Sequence, residues 1–207
     1  MNRARIGVVL AGGLATRMGG DKAGAQLGGQ TLLANAVATV TAAGLTPRVC
    51  ARASTALPPV PGLRDSAIWR EPAPAPGHEG DAHPLAGLAY AAAQAGEPIV
   101  ALPVDLPMLP PAVLTQLASQ HTPLAVLGIG GKPAALVARV DPTHAALLAA
   151  AAGAGAPALR TLVALGAAVI DLADLAPGAD PGQALANVNR PEDLAGLRPA
   201  PRPPQAP

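Results

Sequence analysis

The chain has 207 residues, half of them apolar, with one Trp, one Tyr and no Phe, so a core must be built from Leu, Val and Ala; this length suits one α/β domain. Fourteen Lys and Arg against thirteen Asp and Glu leave a formal charge of +1, which provides no electrostatic footprint for DNA or RNA. A single cysteine, Cys50, excludes an intrachain disulfide and fits a reducing cytoplasm, and no apolar run approaches the roughly 18 residues of a membrane span.

Residues 6–11 form a continuous apolar run, the pattern of a strand buried on both faces in a parallel sheet. With Arg3 and Arg5 ahead of it, the stretch has the outline of a secretory leader. Gly12 and Gly13 interrupt it, and removal would take the first strand away, so it is expected to be retained. At Gly12-Gly13 the backbone can turn sharply and approach a ligand within hydrogen-bonding distance. Beyond lie two cations, Arg17 and Lys22, with Gly19 and Gly20 between them. Backbone N–H groups and two positive side chains make a cradle for a polyphosphate. The spacing fits neither the P-loop, since Lys22 lies between Asp21 and Ala23, nor the dinucleotide fingerprint.

The run from Leu10 to Lys22, Leu-Ala-Gly-Gly-Leu-Ala-Thr-Arg-Met-Gly-Gly-Asp-Lys, resembles without a gap the nucleotidyltransferase pattern Leu-Ala-Gly-Gly-x-x-x-Arg-Met-Gly-x-Asp-Lys. In that form it is similar to the molybdenum cofactor guanylyltransferases, the MobA-like proteins. Read from the residues alone, the same stretch is also a strand-to-loop turn carrying solvated charges.

Further along, residues 27–30 read as a turn. Residues 31–43 read as a helix with Leu32, Leu33, Ala36, Val37 and Val40 on one face and Gly44 at its cap. A second strand is expected at 47–52, an irregular Pro-rich crossover at 54–62 and a third strand at 67–70. Trp69 on that strand reads as packing. Residues 71–83 form a long loop rich in Pro, Gly and charge, of the kind that tends to be functional or mobile. Pro84 then opens a helix to about residue 95, whose free N–H groups favour an anion.

Residues 98–104 read as the fourth strand, placing Asp105 at its carboxyl end, where ligands bind in open α/β sheets. A helix follows from Pro111 to about residue 121. Strands are expected at 124–129 and 133–140, joined by Gly130-Gly131. Asp141-Pro142 starts an Ala-rich helix, with Asp as its cap. A helix from Pro157, a late strand at 167–171 and a final helix after Asn187-Val-Asn-Arg-Pro-Glu-Asp193 complete the domain. The alternation predicts a three-layer, doubly wound, mostly parallel sheet of the Rossmann-like nucleotidyltransferase kind over residues 1–197. Residues 198–207, rich in proline, read as a disordered tail.

The resemblance covers nearly the whole chain up to this tail and implies a mechanism. A phosphate oxygen attacks the α-phosphorus of a nucleoside triphosphate, and because two anions must meet, charge dominates the barrier. Mg²⁺ is the implied cofactor, an ion usually held by one or two oxygen side chains, with phosphates and water completing its shell. Asp105 is the implied metal ligand, although an Asp before Leu-Pro also caps turns. Asn189 is the second, with Asn187 supporting it, although Asn189-x-x-Glu192 also reads as a capping box. Arg17, Lys22 and Asp105 are the implied catalytic residues. Leu10, Ala11, Gly12, Gly13, Lys22, Glu71 and Asp105 form the implied nucleotide set, with Glu79 and Asp81 competing with Glu71 for the acidic role.

His83 replaces the glycine of the family's Gly-Pro-Leu-Ala-Gly, and Lys132 stands where relatives often have His before Pro. Lys132 could contact an acceptor phosphate or simply occupy a hairpin turn. His78, His121 and His144 lack metal-ligand spacing and read as surface residues. Cys50 has no activating neighbour in sequence, so direct transfer without a covalent enzyme intermediate is expected.

The implied activity is transfer of GMP from GTP to the phosphate of molybdopterin in the cytoplasm, with release of pyrophosphate. Expected partners are GTP, molybdopterin or the molybdenum cofactor, and other proteins of cofactor biosynthesis, but no nucleic acid or membrane. The Leu-Ala-Gly-Gly form favours guanine, and Leu-Ala-Ala-Gly is more typical of cytidylyltransferase relatives. The alternatives are a CTP-dependent molybdopterin cytidylyltransferase, another NTP:phosphate nucleotidyltransferase, or a catalytically inactive nucleotide-binding partner protein.

Overall fold

The computed structural model describes residues 2–12, 22–72 and 83–197. Arg17, Gly13, His78, Glu79, Asp81 and the tail 198–207 lie outside these described residues.

The first strand, β1 (Ile6–Leu10), precedes a short hairpin, β2 (Gln26–Leu27) and β3 (Gln30–Thr31). Helix α1 (Leu32–Ala42) begins where the Thr31 hydroxyl accepts from the Ala34 N–H, and all five expected apolar residues are buried. Next come β4 (Thr46–Arg52) and β5 (Ile68–Glu71). Helix α2 (Pro84–Ala95) ends at Gly96, whose φ of 63° terminates the turn in the left-handed region. Then follow β6 (Ile99–Pro103), α3 (Pro111–Ala118), β7 (Leu124–Ile129) and β8 (Lys132–Val140). The chain continues through α4 (Ala145–Gly153), α5 (Ala158–Ala164), β9 (Ala168–Asp171), α6 (Leu172–Leu175) and α7 (Pro181–Ala184).

Seven strands join in the order β5-β4-β1-β6-β8-β7-β9. The pairs β5–β4, β4–β1, β1–β6 and β7–β9 are parallel, whereas β8 runs against both β6 and β7. Its reversal follows from the two-residue connection Gly130-Gly131, where φ values of 57° and 73° suit a tight hairpin. A parallel return would need a far longer crossover.

Side chains alternate across this sheet. Val9, Val49, Leu102 and Leu127 pack with α1, α3 and α6 on one face. Val8, Cys50, Ala101 and Val126 pack with α2, α4 and α5 on the other. The result is the expected three-layer, doubly wound arrangement. Buried Arg139, on the interior strand β8, donates from Nη1 to the Thr122 carbonyl at 2.7 Å and from Nη2 to the Asn2 carbonyl at 2.8 Å. No helix among the described residues is long and apolar enough to cross a membrane.

Three local expectations need correction. The helix after Pro111 stops at Ala118, where the Ser119 N–H turns back to the Gln116 carbonyl, short of His121. Asp141-Pro142 opens a 3₁₀ turn, Pro142–His144, before α4 begins. The expected final helix is one 3₁₀ turn, Pro191–Leu194, with no buried residue to hold a longer one.

Topology also places the site. From β1 the chain moves outward to β4 and β5, then returns through α2 to β6 on the other side of β1. The carboxyl ends of β1 and β6 therefore flank the switch point of the sheet, where a crevice forms.

Candidate active site

A cleft of about 320 Å³ opens at those strand ends. Its floor is Leu10 at the end of β1 with Ala11 and Gly12 after it, and Pro103 at the end of β6 with the residues to Leu106 after it. The Val104 N–H donates to the Leu10 carbonyl at 3.1 Å, and the Ala11 N–H to the Cys50 carbonyl at 2.8 Å, so the sheet ladder continues into the floor. Val188 is fully buried, and its N–H donates to the Asp105 carbonyl at 2.9 Å. This bond brings the segment around Asn187 and Asn189 to the strand ends.

At one end of the cleft, three residues far apart in sequence meet. Lys22 Nζ donates to Asp105 Oδ2 at 2.7 Å and to Asn189 Oδ1 at 2.8 Å. The Lys22 and Asp105 side chains are only 15% and 22% exposed, so solvent screens the pair incompletely. Asn189 is free to make this contact because it does not cap the turn after it. That task falls to Asp193, whose Oδ2 accepts from the N–H groups of Asn189 at 2.7 Å and Arg190 at 2.8 Å. These donors hold the Asp193 carboxyl below the usual carboxylate range. The expected capping box based on Asn189 and Glu192 is thus replaced by one that closes on Asp193.

At the other end stand Arg52 and Glu71, direct neighbours in the β4–β5 register. Glu71 Oε1 lies where two glycines leave room: a Cβ on Gly12 would come within 2.7 Å of it, and one on Gly87 within 3.0 Å. The buried Cys50 thiol donates to the Gly87 carbonyl at 3.5 Å and to Glu71 Oε1 at 3.8 Å. Burial pushes the Glu71 carboxyl above its ordinary range, and the Arg52 charge offsets this only in part. Burial, with Glu71 beside it, also pushes the Cys50 thiol up, which makes it inert as a nucleophile. Arg52 Nη2 is buried without a hydrogen-bond partner among the described residues.

His83 lines the cleft and caps α2, its Nδ1 accepting from the Leu85 N–H at 3.2 Å. The neutral ring therefore carries its proton on Nε2. The antiparallel strand β8 overshoots β6 and contributes an apolar wall of Ala134, Ala135 and Leu136. Lys132 lies at the exposed hairpin tip and is absent from the described lining.

The structure therefore brings Leu10, Ala11, Gly12, Lys22, Glu71 and Asp105 to one cleft, with Asn189 bonded to Lys22 at its edge. Arg17 and Gly13 fall outside the described residues, as do Glu79 and Asp81, and Glu71 is the acid that lines the cleft. Sequence reasoning missed Arg52 and the Ala134–Leu136 wall. A charged residue closing an apolar strand was the available signal for Arg52; the wall has none. No group of three or more His, Cys, Asp and Glu among the described residues could hold a metal ion. Asp105 Oδ2 and Asn189 Oδ1 nonetheless converge on a single cation, and a hard oxygen pair of this kind suits an ion that takes its other ligands from phosphates and water.

Comparison with known proteins agrees with this architecture. A molybdenum cofactor guanylyltransferase of Rhizobium leguminosarum bv. trifolii (strain WSM2304) is 37% identical over 118 residues, or 55% of this chain and 50% of that protein. The chain thus spans about half the length of this curated relative. The crystal structure of molybdopterin-guanine dinucleotide biosynthesis protein A from Archaeoglobus fulgidus superposes with a TM-score of 0.69 at 19% identity, covering 91% of this chain and 94% of that one. The 2-C-methyl-D-erythritol 4-phosphate cytidylyltransferase from Thermus thermophilus does so with a TM-score of 0.56 at 19% identity, over 91% and 94% of the two chains. Both share the fold. Residues 7–170, from β1 into β9, match the family described as the MobA-like NTP transferase domain, and the chain belongs to that family.

Proposed function

We propose that this protein transfers GMP from GTP to the phosphate of molybdopterin, releasing pyrophosphate, and that it works in the cytoplasm with Mg²⁺. The observation that carries the reading is the meeting of Lys22, Asp105 and Asn189 at one end of a cleft whose other end holds Glu71. The name of the Rhizobium relative supports the choice of substrates.

In this reading the backbone of Leu10, Ala11 and Gly12 and the carboxylate of Glu71 receive the base. Guanine offers two adjacent donors, N1–H and N2–H, which suit a carboxylate, whereas the Watson–Crick edge of cytosine offers one donor and two acceptors. The triphosphate extends toward Lys22. An oxygen of the acceptor phosphate forms a bond to the α-phosphorus, and the bond from that phosphorus to the bridging oxygen of the β-phosphate breaks. Pyrophosphate leaves with the electron pair. Lys22 and Arg17 stabilise its charge, and Asp105 and Asn189 would hold Mg²⁺, which when bound neutralises phosphate charge during transfer. The Ala134–Leu136 wall would face the acceptor.

The test is pyrophosphate release with GTP or CTP in the presence of Mg²⁺, with and without molybdopterin. Release that requires both GTP and molybdopterin is expected. Release with CTP instead would reassign the base, and none with either nucleotide would overturn the enzymatic reading.

A further inference from the structure

At the head of the cleft Lys22 is bonded to two oxygens from distant parts of the chain. Lys22 does not extend into open solvent; its ammonium sits between the two oxygens, 2.7 Å from Asp105 Oδ2 and 2.8 Å from Asn189 Oδ1. The pair is mostly shielded, with side-chain exposures of 15% and 22%, so the ammonium is an effective counter-ion to the carboxylate. The contacting residues are separated in sequence by 83 and 167 positions, so the lysine also ties the opening loop to the end of β6 and to the C-terminal segment.

We propose that Lys22 is the placeholder cation of the metal position, competing with a divalent ion for Asp105 and Asn189 until nucleotide phosphates draw it away. This rests on the reading of those two side chains as the metal-holding oxygens. Two cations cannot share these oxygens. Mg²⁺ binds oxygen at about 2.0–2.1 Å, and an ammonium within hydrogen-bond reach of the same atoms would be a few ångströms from it, where like-charge repulsion is several times larger than in bulk water. Lysine suits the exchange because its ammonium is a compact charge on a flexible four-carbon stem that can change partners without moving the backbone. Phosphate oxygens offer the ammonium an alternative anion within the same cleft, which Lys22 already lines. Nucleotide and divalent ion therefore enter together, and the free protein holds the divalent ion poorly.

The proposal makes two effects of one substitution run in opposite directions. Lys22→Met removes a phosphate contact and weakens GTP binding. In the absence of nucleotide it should tighten Mn²⁺ binding by about tenfold or more, since the competing charge is gone. Mn²⁺ binding to the full-length protein without nucleotide, followed by electron paramagnetic resonance of the free ion, reads this directly. Lys22→Gln, which removes the charge but keeps a donor for Asn189, should show the same direction. Arg52→Met removes a cation from the same cleft that touches neither oxygen, and should change Mn²⁺ affinity by less than about threefold. A gain in Lys22→Met no larger than that in Arg52→Met overturns the placeholder. If the double variant Lys22→Met/Asp105→Asn keeps the tight Mn²⁺ binding, the assignment of Asp105 as a metal-holding residue fails instead.

Discussion

Gly12→Ala places one methyl group against the acidic end of the cleft. The added Cβ would lie 2.7 Å from Glu71 Oε1, about 0.7 Å inside the 3.4 Å at which ordinary contact begins, and 3.5 Å from both Arg52 Cγ and the Arg52 backbone nitrogen. The near atom is the tip of a side chain, so the backbone can stay and the carboxylate must retreat. Gly87 carries no Cβ and leaves the carboxylate room to shift on its side, at the expense of its position in the cleft. Stability should fall by no more than about 1 kcal/mol, the cost of an off-rotamer side chain. GTP affinity should fall by one charge-assisted hydrogen bond, about 1.5–3 kcal/mol, or roughly 10- to 100-fold. Isothermal titration with GTP and a thermal melt measure the two quantities separately. Glu71→Asp in the Gly12→Ala background shortens the acid by one methylene and should recover part of the loss, a coupling that a double-mutant cycle detects. Wild-type GTP affinity in Gly12→Ala would refute the placement of Glu71 against the base.

Protonation gives Glu71 a second signature. Its carboxyl lies above the ordinary range because of burial, so the fold favours the protonated form, and this contribution to stability declines as pH rises from the ordinary carboxylate value through the raised one. In the proposed function nucleotide binding has the opposite sign, since the base would be received by the ionised acid. The KM for GTP should therefore rise on acidification at a higher pH than an unperturbed glutamate would produce, and Glu71→Gln should abolish that limb of the profile; its persistence in the variant would assign it elsewhere. On the interior strand β8, Arg139→Met leaves the Thr122 and Asn2 carbonyls without their donor. The expected loss is about 3 kcal/mol, or about 10 °C in Tm, with kcat and KM unchanged at a temperature where the variant is folded. A melt within about 2 °C of wild type would remove Arg139 from the list of structural anchors.

Much of the fold was legible because its signals are local. The apolar run at β1, the apolar face of α1, Pro84 at the start of α2 and the Gly130-Gly131 turn each act within a few residues. Asp105 could be placed because a strand end is a position that sequence reveals. The 3₁₀ turn at Pro191–Leu194 was less legible: a capping pattern was present, but no apolar face followed to sustain a helix. Asp193 rather than Glu192 accepts the backbone donors of Asn189 and Arg190, and the Asn189 side chain is bonded to Lys22, 167 residues away. Arg52 and Glu71 meet only through the β4–β5 register, and the Ala134–Leu136 wall forms only because β8 is reversed and overshoots β6. Neither relation is written in the spacing of one segment.

The central claim is that Asp105, joined to Lys22 at 2.7 Å, serves the chemistry at the head of the cleft. It is tested most directly by pyrophosphate release from GTP with Mg²⁺ and molybdopterin, comparing wild type with Asp105→Ala. Turnover should vanish in the variant while its melting curve stays cooperative. Turnover at the wild-type rate by folded Asp105→Ala would contradict the account.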